Sequence, residues 1–193
     1  MLIQKDNVNI REMRFADGDF DLMEKWLTDA EVLQYYEGRD HPFTRQQVIE
    51  KFGRRAAGED YVVPCIVEYD RLPIGYMQYY ELPEDIKEKY GVAGASNVYG
   101  MDLFIGETRY WNQGIGTVMV KALLEYLFTV KGARKVFIDP QTWNERAVRC
   151  YEKSGFRKVK LLPKNELHEG VLRDNWLMEI SAEEFESRTA HVG

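Results

Sequence analysis

Apolar positions along the chain change period several times, and each change marks an element. Val8 to Met13 alternates as a strand does, while Phe20, Met23, Trp26 and Leu27 recur on one side of a helix that Asp17 or Asp19 can cap. Thr28 to Pro42, which contains Tyr35-Tyr36-Glu37-Gly38, predicts a loop, and Thr44 predicts the cap of a second helix reaching about Arg55. Tyr61 to Tyr69 and Ile74 to Tyr80 are β-rich runs joined through Asp70-Arg71-Leu72-Pro73, which predicts a hairpin. Glu81 to Asn97 is charged and Gly-containing, an excursion from the core. Val98 to Ile105 then predicts a strand, and a Gly-rich turn leads into a helix from Thr117 to Phe128 whose buried face is Val120, Leu123, Leu124, Leu127 and Phe128. Val136 to Ile138 reads as a short buried strand and Asn144 to Lys153 as a helix ended by Ser154-Gly155. Phe156 to Leu161 and Trp176 to Ile180 close the fold as strands. Without a repeat, low-complexity tract or linker, residues 1–193 are expected to form a single domain.

Composition adds less. The 193 residues are 45% hydrophobic, enough for a sizeable core. Twenty-six Lys and Arg stand against 32 Asp and Glu, a formal charge of −6, which disfavours nucleic acid and suits a small cationic ligand. Cys65 and Cys150 are the only cysteines, and no Cys/His cluster has metal-ligand spacing, so no metal is expected and both thiols read as structural. With charges scattered through Met1 to Arg14 and no apolar run of about 18 residues, the expectation is a cytoplasmic protein without a membrane partner.

The chemistry concentrates in two segments. Trp111-Asn112-Gln113-Gly114-Ile115-Gly116-Thr117 lies between the best strand and the best helix, where amides at a helix N-terminus and two glycines allow a phosphate close to the backbone. It is too short for the P-loop pattern, lacks that motif's Lys, and lacks the third Gly of a dinucleotide fingerprint, so alone it also fits a plain strand-to-helix turn. About thirty residues on comes Asn144-Glu145-Arg146-Ala147-Val148-Arg149-Cys150-Tyr151-Glu152-Lys153-Ser154-Gly155-Phe156.

Together these segments resemble the GNAT acetyltransferases, whose coenzyme turn is Q/R-x-x-G-x-G/A and whose later helix carries N-x-x-A-x-x-x-Y-x-x-x-G-F. The second pattern is matched at Asn144, Ala147, Tyr151, Gly155 and Phe156; in the first, Trp111 stands where Gln or Arg is usual. The resemblance implies an α/β GNAT fold: a mixed, strongly twisted central sheet with helices on both faces, and a splayed parallel strand pair that holds acetyl-CoA as co-substrate. It implies that the coenzyme's pyrophosphate meets the turn Asn112, Gln113, Gly114, Ile115, Gly116 and Thr117. The backbone of Leu103, Phe104 and Ile105 would pair with the pantetheine arm, Asn144 and the helix at Ala147 would bind it, and Tyr151 would face the sulfur. Amine attack on a thioester makes an oxyanion and then a thiolate, so a proton donor such as Tyr151 is required; a core tyrosine is its plainer reading.

A closer resemblance runs from about Val8 to about Met178. Trp26-Leu27-Thr28-Asp29, Tyr99-Gly100-Met101-Asp102-Leu103-Phe104-Ile105-Gly106, Ile138-Asp139-Pro140 and Glu166-Leu167-His168-Glu169-Gly170 look like the aminoglycoside 6'-N-acetyltransferases. It implies transfer of acetyl to a 6'-amino group of an aminoglycoside antibiotic, a resistance activity on a small polycationic substrate. Asp102 would then lie near the reactive amine as anchor or base, and Asp139 would contact the drug; a mid-strand carboxylate satisfied by a neighbour and a loop cap are their plainer readings. Tyr35, Tyr36 and Glu37 would be laid against its rings, and Gln78, which shares a strand face with Tyr80, would line the same cleft; core packing of one of the two tyrosines and a solvated sheet face at Gln78 and Tyr80 are the plainer readings. His168 reads as a structural or exposed residue of a late polar loop, Lys164 to Gly170. A GNAT enzyme acting on a siderophore hydroxylysine, a polyamine or a protein N-terminus stays open, as does a non-catalytic acetyl-CoA sensor. The assembly is expected to be a monomer or weak homodimer.

Overall fold

A computed structural model describes residues 2–189. The chain divides into two compact units, one made of residues 1–79 and 102–119 and the other of residues 80–101 and 120–193. Each is described by itself.

The first unit opens with a hairpin of β1 (Ile3–Lys5) and β2 (Val8–Glu12), and β2 pairs antiparallel with β3 (Val63–Tyr69). From β3 the chain turns through Asp70 and Arg71, both left-handed, into β4 (Leu72–Glu81), a two-residue reversal whose twist matches paired strands. Pro73 cannot donate to a ladder, and the register slips beside it, between Val67 and Glu68. The end of β5 (Val98–Ile105) lies next to β4, because a Cβ on Gly75 would come within 2.4 Å of the Phe104 carbonyl oxygen. Helices α1 (Asp17–Trp26), α2 (Ala30–Leu33) and α3 (Arg45–Ala56) cover a core of Phe20, Met23, Trp26, Phe52, Ile66, Tyr76 and Phe104. Thr44 caps α3 as the sequence predicts, and the structure adds a reciprocal capping box with Gln47.

In the second unit the start of β5 runs parallel to β6 (Lys135–Ile138), and β6 pairs antiparallel with β8 (Val171–Ser181), which pairs with β7 (Arg157–His168). Because β5 has residues in both units, the strand order is β1-β2-β3-β4-β5-β6-β8-β7, an eight-stranded mixed sheet with one parallel pair. The remaining helices are α4 (Glu84–Tyr90), α5 (Ile115–Thr129), α6 (Glu145–Ser154) and α7 (Ala182–Thr189).

Several expectations need correction. The segments expected as a loop and an excursion hold α2 and α4, each too short to repeat an apolar stripe. The expected loop from Lys164 to Gly170 is mostly strand: Pro163, Lys164 and Asn165 form an irregularity in the ladder, and the reversal is only Glu169-Gly170. The α1 cap position is Ala16, with no side-chain cap. Asp19 instead lies inside, where it accepts from both terminal nitrogens of Arg11 (2.7 and 2.8 Å) and from the Arg14 amide (2.7 Å).

Burial alone would push the Asp19 carboxyl up, but the Arg11 and Arg14 hydrogen bonds outweigh it and hold it at about 2. An unfolded Asp titrates near ~3.9. The native site therefore adds stability that is fully present above pH ~4 and is lost as pH falls toward ~2, about 2 kcal/mol in all. Urea titrations of wild type and Asp19→Asn should differ by at least that amount at pH 7 and converge between pH ~4 and ~2.5; a gap independent of pH would show that the carboxylate's charge is not what stabilises β2 against α1.

Candidate active site

Residues expected at the site fall in both units. In the first, β5 presents Asp102 and Phe104 to one face and Leu103 and Ile105 to the other, as alternation requires. Phe104 is buried against Trp26, Tyr36 and Tyr76. Asp102, half-buried, accepts a 2.7 Å hydrogen bond from the Gln78 side-chain amide. The Gln78 carbonyl oxygen in turn accepts from the Tyr76 hydroxyl (2.7 Å) and the Arg55 guanidinium (2.9 Å). Gln78 is only 7% exposed, so the solvated sheet face that its position also allowed is ruled out.

Burial holds the hydroxyls of Tyr36 and Tyr76 well above their ordinary range, so both stay neutral. Tyr36 packs its ring 4.6 Å from Phe104, whereas Tyr35 meets the Trp111 indole edge-on at 5.7 Å. Glu37, in a left-handed conformation, pairs with Lys51. The loop thus carries one core tyrosine, one tyrosine on a tryptophan, and a carboxylate whose charge is matched.

The turn entering α5 puts Asn112 and Gly114 at positive φ. A Cβ on Gly114 would meet nothing within 4 Å, so the backbone there is open to a ligand. The first amides of any helix have no acceptor inside it, and here Thr117 and Val118 close back on the Gly114 carbonyl. Gln113 folds onto the Arg109 carbonyl (2.6 Å). Trp111, the departure from the GNAT pattern, donates its indole N–H to the Ile105 carbonyl (2.8 Å) and so ties the turn to the end of β5. These residues fit a pyrophosphate held by amides at a helix start.

In the second unit the β5–β6 register covers Val98↔Lys135 to Gly100↔Phe137, and β5 continues beyond it. Asn144 is the N-cap of α6, its side-chain oxygen accepting from the Ala147 amide (3.2 Å), so its NH2 is what remains to meet a ligand. Tyr151 is 7% exposed and its ring lies edge-on to Phe156 at 6.1 Å. Gly155 is left-handed, and the amides of Gly155 and Phe156 close the helix on Glu152 and Tyr151. The Y-x-x-x-G-F spacing is thereby the geometry of a helix C-terminus that fixes Tyr151.

Asp139 is half-buried beyond β6. Its carboxylate accepts from Asn165 (3.3 Å) and its carbonyl from Asn175 (2.5 Å), whose side chain also reaches Glu166 (3.1 Å). His168 is not a loop residue: it ends β7, 2% exposed, its ring 5.8 Å from Trp143. Burial pushes the Cys65 thiol up to about 12, which removes it as a nucleophile. Among the described residues no group of three His, Cys, Asp or Glu could hold a metal, and no helix is long and apolar enough to cross a membrane.

Two residues escaped the sequence reading. Arg55 looked like the end of α3 and Tyr76 like strand filler, and the only signal was that Tyr76 and Gln78 share a strand face.

The chain is similar to known proteins in sequence and in fold. The chain is 29% identical over 153 residues, 79% of its own length and 75% of the relative's, to the aminoglycoside N(6')-acetyltransferase type 1 of Klebsiella pneumoniae. A crystal structure of aminoglycoside acetyltransferase AAC(6')-Ib in complex with coenzyme A and kanamycin is similar at TM-score 0.74 and 26% identity, covering 93% of this chain and 98% of that one. Spermidine N-acetyltransferase from Vibrio cholerae, in complex with CoA and spermine, shares the fold at TM-score 0.77 with 16% identity, covering 94% and 99%. The model of the acetyltransferase (GNAT) domain matches residues 16–163, most of the chain, and the protein therefore belongs to the GNAT acetyltransferase family.

Proposed function

We propose that this protein transfers the acetyl group of acetyl-CoA to the 6'-amino group of aminoglycoside antibiotics, an antibiotic-resistance activity. The observation that carries the reading is Asp102, a carboxylate in the middle of β5 held by Gln78 within a shell of tyrosines. A carboxylate costs stability in such a place, and it earns its position by anchoring an ammonium. The similarity to the 6'-acetyltransferases supports the choice of amine.

On this reading the whole chain works as one catalytic domain, a monomer or weak homodimer in the cytoplasm, on a small polycationic amine and without a metal. Acetyl-CoA supplies the thioester. Amides from Asn112 through Gly116, together with Thr117, meet its pyrophosphate, the backbone of Leu103 to Ile105 pairs with its pantetheine arm, and the Asn144 NH2 with the first turn of α6 at Ala147 binds it further. Asp102 and Gln78 orient the acceptor amine, while Asp139, Glu37, Tyr35 and Tyr36 hold the rest of the sugar framework by charge and ring contact. The anchored ammonium first gives a proton to solvent; its nitrogen then attacks the carbonyl carbon, the C–S bond breaks, and Tyr151 gives its proton to the departing sulfur. The nitrogen's proton leaves to solvent or to Asp102, and solvent returns one to Tyr151.

Thiol release with purified protein should occur with 6'-amino aminoglycosides such as kanamycin, and drugs with a 6'-hydroxyl should not be acetylated at that position. Asp102→Asn should fold and bind acetyl-CoA yet lose roughly 30 to 1000 fold in kcat/KM for kanamycin. Brisk turnover of polyamines or lysine derivatives with no response to any 6'-amino drug would leave the GNAT assignment standing and defeat this substrate.

Removing the phenol of Tyr151 should cost about 10 to 10⁴ fold in kcat with little change in acetyl-CoA affinity by calorimetry. Wild-type kcat in Tyr151→Phe would make the hydroxyl structural.

A further inference from the structure

Arg55 is a cation in the half-buried surroundings of Asp102 that none of the reactions above uses. It sits on the last turn of α3, its guanidinium 5.7 Å from the Phe52 ring, and its Nε is buried without a hydrogen bond. Among the described residues no carboxylate pairs with it, and its guanidinium donates to the Gln78 side-chain oxygen at 2.9 Å. A guanidinium has only donors, so it can face only the oxygen end of the Gln78 amide. Tyr76, whose hydroxyl also interacts with the Arg55 guanidinium, gives its proton to the same Gln78 oxygen and so reinforces that choice. With Gln78 oriented this way its NH2 points to Asp102 Oδ2, 2.7 Å away.

Resting on the proposed role of Asp102, we propose that Arg55 is a positioning residue: acting through Gln78, it fixes Asp102 as a hydrogen-bond acceptor and so as an oriented anchor for the acceptor amine. The chain has a donor-only group at one end and an ionised, acceptor-only carboxylate at the other, and its direction is consistent throughout. The bond from Gln78 engages Oδ2, and a proton taken up by Asp102 on its other oxygen would leave that bond in place. The network therefore holds the carboxyl group in one orientation whether it anchors the amine or also receives its proton. Lysine could supply the charge at this position but not the planar fork that meets the amide oxygen over the Phe52 ring.

Two measurements on the full chain decide the matter. In ¹⁵N-labelled protein the Gln78 side-chain NH2 resonance should move on Asp102→Asn, and Arg55→Met should move it too, with Arg55→Lys intermediate. A Gln78 resonance unmoved by both Arg55 variants overturns the proposal whatever the substrate is. With kanamycin, Arg55→Met and Gln78→Met should each lower kcat/KM by about tenfold with KM for acetyl-CoA unchanged. The double variant should be no worse than the poorer single one, because both act on the same bond. Losses that multiply would mean that Arg55 merely supports the fold. Full activity in Asp102→Asn would sink the proposed anchor instead, and the Gln78 resonance would still judge Arg55.

Discussion

A carboxylate at Asp102 is the demand that organises the first unit. Half-buried beside Phe104, Tyr36 and Tyr76, it would be costly if left without a donor, since an unsatisfied charge in such a place loses its hydration and gains nothing. Gln78 supplies the donor, and Gln78 is itself buried, so its own oxygen needs partners from Tyr76 and Arg55. Satisfying one group thus recruits a strand neighbour, a hydroxyl and the end of α3. Removing any member exposes the next to the same penalty.

Space makes the same demand on the backbone. β5 is approached so closely that three glycines are required around it. A Cβ on Gly75 would strike the Phe104 carbonyl, on Gly100 the Tyr80 ring at 2.6 Å, and on Gly106 the Trp26 ring at 2.2 Å. Trp26 in turn donates to Glu107 (3.0 Å), which also pairs with Lys25, and these bonds lower the Glu107 carboxyl against the effect of its burial. The strand bearing Asp102 is therefore pinned at several points along its length, the condition for holding a side chain at a fixed place.

What could be read from sequence depended on whether an element carries its own periodicity. β5, α5, α3 with its capping box, and α6 with its left-handed Gly155 were legible because stripe, cap and stop lie within each segment. α2, α4 and the three residues of β1 are too short for a period, and α7 is polar over most of its surface. β7 was read short because an irregularity at Pro163 and Lys164 imitates a loop on a strand paired on one side only. Asp19 has the composition of a cap, and only the tertiary structure shows two arginines converging on it. At the site, single residues were legible through a motif, while the chain Arg55–Gln78–Asp102 joins a helix to two strands and no local spacing announces it.

The proposed reaction sets opposite electrostatic requirements close together in the first unit, because its coenzyme is an anion and its acceptor a polycation. A Gln or Arg at the head of the coenzyme turn is the usual family solution, and here Trp111 replaces it and bonds to the Ile105 carbonyl instead. On the proposed reading, binding of the pyrophosphate then rests on amides and the helix terminus, which attract phosphate through partial charges that fade within a turn. A full positive charge at that point would reach further and oppose the ammonium that Asp102 has to hold, since unit charges act over about 10 Å at moderate salt. Arg55, two hydrogen bonds from Asp102, carries such a charge, so on this reading the ammonium has to be held against it by Asp102 and the other carboxylates. The acidic balance of the chain, −6 overall, works in the same direction.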